Sequence, residues 1–131
     1  MDIALTTQTD LPFAETVEQV REALAAQGFG VLTEIDVQAT MKTKLDMDLE
    51  PYLILGACNP PLAHQALTAE PEIGLLLPCN VTVRTETGRT VVQAVNPQLM
   101  VSVVDRPALQ AVADEAALRL QAALDSLHAT S

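Results

Sequence analysis

The sequence predicts an α+β fold: a single domain over residues 1–131, with a mainly antiparallel sheet and two long helices on one face. Three observations carry this. Two segments, one near each end, repeat apolar residues at helical spacing. Between them lie short apolar or alternating runs separated by turn residues. The connections mix hairpins with short helical crossovers, unlike the regular strand–helix alternation of a parallel sheet.

Taken in order, residues 2–8 alternate weakly and read as a first strand. Asp10 is a candidate N-cap, with Pro12 in the first helical turn. Phe13, Val17, Val20 and Leu24 form one apolar stripe, giving a helix over about 13–27. Gly28 stands where a left-handed C-terminal residue is wanted. Residues 29–37 alternate, with Phe29, Val31, Thr33, Ile35 and Val37 on one strand face. Val37, Met41 and Leu45 then suggest a short helix around 38–45, closed by an acidic loop at Asp46, Asp48 and Glu50.

Tyr52 to Cys58 is a dense apolar strand bounded by Pro51 and Asn59. Asn59-Pro60-Pro61 starts a helix over about 61–69, with Leu62, Ala63, Ala66 and Leu67 facing inward. Leu75–Leu77 reads as strand, bent at Pro78 and resumed at Val81 and Val83. Thr87-Gly88 turns the chain into a strand over 89–95. Residues 100–104 fit either a strand or an irregular return. Asp105 is a candidate cap for the last helix, with Pro107 in its first turn. Its stripe is Leu109, Val112, Ala116, Leu120, Leu124 and Leu127, and the tail from His128 to Ser131 is expected to fray.

Composition excludes several functions. The chain carries 17 acidic and 7 basic side chains, a net charge of −10, and only 2% aromatic residues. Phosphate binding needs clustered Lys and Arg, and base stacking needs exposed aromatics, so nucleic acid is not an expected partner. The same charge disfavours an anionic membrane surface, and no apolar run approaches the length of a membrane span. Residues 1–9 show no basic, apolar leader, so a cytoplasmic location is expected. At 49% hydrophobic residues the chain is apolar enough to fold around an aliphatic core.

The two cysteines carry the most informative chemistry. Cys58-Asn59 and Cys79-Asn80 each follow an apolar run. If their strands are neighbours, the thiols meet at one end of the sheet. A redox pair, a soft-metal site, a single reactive thiolate and two small buried hydrophobes all suit this pattern. His64, early in the helix that Asn59 starts, is a candidate base for Cys58. It is also a candidate third ligand beside Cys58 and Cys79. The N-terminus of that helix is a candidate stabiliser for the Cys58 thiolate. Asp46, Asp48 and Glu50 open like a calcium loop, but Pro51 and Ala57 stand where Gly and Glu are required, so a solvated loop is expected.

The run from Pro51 to Pro60, then Leu62-Ala63, Ala66-Leu67 and Ile73 to Val81, resembles the family known as domain of unknown function 302. So does Gly28 to Val37. The resemblance covers nearly the whole chain. It implies a β-α-β(4)-α fold of the TATA-binding-protein-like class, with no DNA binding implied by the shared fold. It also implies small cytoplasmic homodimers with no established activity. Cys58, Asn59, Cys79 and Asn80 match the family's signature positions. Asn96-Pro97 departs from an expected Asp-Pro; as a turn former Asn serves as well. The functional expectation is a non-enzymatic, homodimeric module with a small-ligand or soft-metal site around Cys58, Asn59, Cys79, Asn80 and His64. A thiol-dependent enzyme or redox protein, and a purely structural dimerisation domain, are the alternatives. No cofactor is specified.

Overall fold

The computed structural model describes residues 2–128. Five strands, β1 (Ala4–Thr9), β2 (Gly30–Asp36), β3 (Tyr52–Cys58), β4 (Cys79–Glu86) and β5 (Arg89–Val95), form one sheet. Its order is β1-β5-β4-β3-β2 and every pairing is antiparallel. The helices are α1 (Phe13–Ala26), α2 (Val37–Leu45), α3 (Pro60–Ala69), α4 (Gln98–Val103) and α5 (Leu109–His128). Stripped of the short helices, the order is the β-α-β(4)-α that the sequence predicts. Of the tail expected to fray, His128 is still helical as the last residue of α5, and residues 129–131 lie outside the described residues.

The core follows from periodicity. Leu55 and Ala57 of β3, Val81 and Val83 of β4, and Val92 and Ala94 of β5 are fully buried, each two residues apart on one sheet face. Val17, Val20 and Leu24 of α1 pack on that face beside Leu120, Ala123, Leu124 and Leu127 of α5. The first half of α5 does something else. Leu109, Val112 and Ala113 form a second core with Ala66, Ile73 and Met100. The long helix thus joins the sheet layer to a cap made by α3, α4 and the segment between α3 and β4.

Local chemistry explains the boundaries. At the end of α1, Gly28 takes φ +84° and Phe29 N–H donates to the Leu24 carbonyl at 2.9 Å, closing a Schellman turn that buries Phe29 against the core. Asp36 caps α2 through Ala39 N–H. Gly56 is required by close approach: a Cβ there would stand 2.2 Å from Thr33 Oγ1 and 2.8 Å from Pro78 Cγ.

Several expectations are corrected. Asp10 does not cap α1; it pairs with Arg89 at 3.1 Å, and the helix starts after Pro12 without a side-chain cap. Residues 71–76 form a 3-10 helix rather than strand, started by Pro71 and capped by Glu70, because Ile73 is drawn into the second core. The 98–103 segment is helical: Asn96 accepts from Gln98 N–H at 3.1 Å, and Met100 is buried. The last helix starts at Leu109, beyond Pro107, so Asp105 is not its cap. In β2, a bulge sets Val31 opposite Ala57 but Thr33 opposite Gly56. The extra residue, Leu32, shifts the alternation, so Ile35 no longer shares a face with Val31.

Candidate functional site

The end of β3 and the start of β4 come together as the sequence suggests. Ala57 lies opposite Cys79, so Cys58 stands one residue beyond that pair. The two cysteines are therefore not a directly facing pair of the kind that closes readily into a cross-strand disulfide. Both are half-buried free thiols, and both border one cavity of about 290 Å³.

The sheet end and the helices packed on it line this cavity. Ala57 and Cys79 form its floor at the sheet end, and the Leu77-Pro78 strap lies beside them. Leu62, Ala63, Ala66 and Leu67 of α3 face it. Val112 and Ala116 of α5 and Met100 of α4 close the far side, with Phe29 just before β2 and Leu32 within it. The α3 residues are those expected to pack inward, yet only Ala66 is buried. The reason is side-chain size: Ala57, Ala63, Ala66 and Ala116 present methyl groups from several walls, and no large side chain fills the gap between them.

The Cys79 thiol is set for packing more than for nucleophilic attack. Burial pushes the Cys79 thiol up to about 11, and the nearby Cys58 adds to the rise. The start of α3 provides no compensation. Pro60 and Pro61 have no N–H, Leu62 N–H is taken by Asn59 Oδ1 at 3.3 Å, and Ala63 N–H by the Asn59 carbonyl at 2.8 Å. The first turn thus has no free amide for a thiolate, contrary to the role expected of it.

Asn59 is 7% exposed and borders the cavity. Besides capping α3, its Nδ2 donates to the Gln27 carbonyl at 3.5 Å, tying α3 to the end of α1. Asn80 is placed differently. It is exposed, one residue beyond Cys79 and so on the opposite side of the strand. It borders a separate hollow of about 260 Å³ with Val95 and Asn96. The two Cys-Asn motifs are alike in sequence but not in position. His64 lies on the exposed side of α3 and does not line the cavity. Helical spacing turns it away from Leu62, Ala63 and Ala66. Among the described residues, no three His, Cys, Asp or Glu side chains gather to hold a metal. The three-ligand site of Cys58, Cys79 and His64 is thus not formed among them.

Sequence reasoning missed Phe29, Leu32, Met100 and Ala116 as cavity residues. The alanines on α3 and α5 were the available signal, since small residues facing each other leave space.

Residues 5–127 match the family model for the domain of unknown function DUF302. The chain belongs to that family. Among solved structures, this DUF302 chain is similar to the uncharacterized conserved protein DUF302 from Bacillus stearothermophilus. The TM-score is 0.89 at 32% identity, over 95% of this chain and 98% of that one. No curated protein matches it. Among the described residues of this DUF302 protein, no helix is long and apolar enough to cross a membrane.

Proposed function

We propose that this protein is a non-enzymatic binding module for a small apolar molecule, held in the cavity beneath α3. The cavity itself carries this reading: about 290 Å³, walled by aliphatic side chains, bordered by both thiols and lined by no charged residue. An apolar cavity of roughly 150 Å³ admits benzene, so a larger ring system or short chain suits this one. Neutral 1-aminoanthracene, whose fluorescence rises in apolar surroundings, is the probe. It is expected to bind with micromolar affinity. Ala63→Phe, which fills the space from α3, is expected to weaken binding by at least about tenfold with the circular dichroism retained. Undiminished binding to the folded variant would overturn the reading.

A thiol enzyme or redox protein is supported less well. With its thiol held near 11, Cys79 is about one part in ten thousand thiolate at pH 7. The two free cysteines suit a reducing, cytoplasmic location.

The module is also proposed to act as a homodimer. β2 is an edge strand, with Leu32 68% and Ile35 49% exposed, and Leu45, Met47 and Leu49 are exposed just beyond it. An open apolar edge suits antiparallel pairing with the same edge of a second copy, a self-complementary contact. Light scattering after size exclusion is expected to give about twice 14.0 kDa, and Ile35→Lys is expected to give a monomer. A monomeric wild type would remove this part of the proposal.

A further inference from the structure

The rim of the cavity near Asn59 bears on what the cavity accepts. Charge has nowhere to go. No Asp, Glu, Lys, Arg or His lines it, and burying an unpaired charge is far more costly than burying a neutral polar group. The nearest helix N-terminus has its amides absent or already bonded. Arg119, on α5 near Asn59, does not line the cavity and is turned to other partners: Nε donates to Glu115 at 2.8 Å and Nη1 to the Gln27 carbonyl at 3.2 Å. Its charge is balanced by Glu115.

Asn59 differs from these groups. Its Oδ1 is held by Leu62 N–H, which leaves the Nδ2 amide as its donating side. One Nδ2 hydrogen goes to Gln27 at 3.5 Å, a long bond to a carbonyl that Arg119 already satisfies at 3.2 Å. An amide nitrogen carries two hydrogens, so Asn59 retains donor capacity beside an otherwise apolar space. Sites of this kind discriminate strongly, because a ligand without the acceptor leaves the buried donor unpaired.

We propose that the cavity selects an uncharged apolar molecule bearing one hydrogen-bond acceptor, such as a ketone or ester carbonyl, with the Asn59 amide as its orienting donor. This rests on the apolar-cavity reading above. Three molecules of similar shape test it by displacing 1-aminoanthracene: butylbenzene, butyrophenone and 4-phenylbutyrate. Butyrophenone is expected to displace the probe about tenfold better than butylbenzene, and 4-phenylbutyrate least well. In Asn59→Ser the hydroxyl keeps the helix cap but falls short of the ligand. The ketone's advantage is expected to vanish there, with butylbenzene unchanged. Should that variant fail to fold, the infrared carbonyl stretch of butyrophenone bound to the wild type decides, with a shift to lower wavenumber expected relative to alkane solution. Equal displacement by ketone and hydrocarbon, strongest displacement by the carboxylate, or an unshifted carbonyl band would overturn the proposal while the cavity reading stands. Failure of 1-aminoanthracene itself to bind removes both.

Discussion

Gly56→Ala is expected to lower stability by about 2–3 kcal/mol, because a methyl group must enter a space already occupied. The added carbon would meet Thr33 Oγ1 at 2.2 Å and Pro78 Cγ at 2.8 Å. Thr33 sits on the edge strand and can rotate, but the Pro78 ring is stiff and is held next to Cys79 at the start of β4. β3 is paired on both sides, so it cannot shift without straining two ladders. For a chain of this size, the midpoint of thermal unfolding should fall by about 8–12 °C. Thr33→Ala alone should change little, since Thr33 is exposed. Combined with Gly56→Ala it should recover part of the loss, the part due to Thr33 and not that due to Pro78. A Gly56→Ala protein as stable as wild type would show that the strap is free to move, and the cavity beside it with it.

The second large effect is alkaline. The Cys79 thiol is raised from 9.0 to about 11 in the folded protein, chiefly by burial. Below pH 9 it is protonated whether folded or unfolded, and its contribution to stability is fully present. Between pH 9 and 11 the unfolded chain releases the proton and the folded one retains it. Unfolding is therefore favoured as pH rises. The loss should approach about 2–3 kcal/mol near pH 11 and then level off. Other groups titrate in this range, so the comparison is with Cys79→Val, which conserves the volume and removes the proton. Urea unfolding at pH 8 and pH 10.5 should show a steeper fall for wild type than for the variant. Parallel slopes would mean that Cys79 is not the buried thiol described here. The same property implies slow alkylation of Cys79 by iodoacetamide at pH 7.

Much of the fold is legible because it is local. The stripes of α1 and α5, the dense β3 run and the Asn59-Pro60-Pro61 start are each written within one element, and each holds in the structure. Legibility fails where a distant contact decides. Leu75 and Leu76 look like strand residues, but Ile73 beside them is buried against α4 and α5, and the segment winds into a 3-10 helix. Ile35 reads as a partner of Val31 until the bulge at Leu32 turns it to the other face.

The site divides in the same way. By itself the sequence determined the order of the sheet strands and the two long helices, a cysteine beside each of two apolar runs and the capping role of Asn59, because periodicity and capping act over a few residues. Only the tertiary structure decided that Asn80 and His64 face away, that Cys58 and Cys79 are offset, and that the alanines of α3 and α5 leave space between them. Each of these depends on which surfaces of distant segments meet and how closely, and the width of a gap between two helices is a property of neither alone.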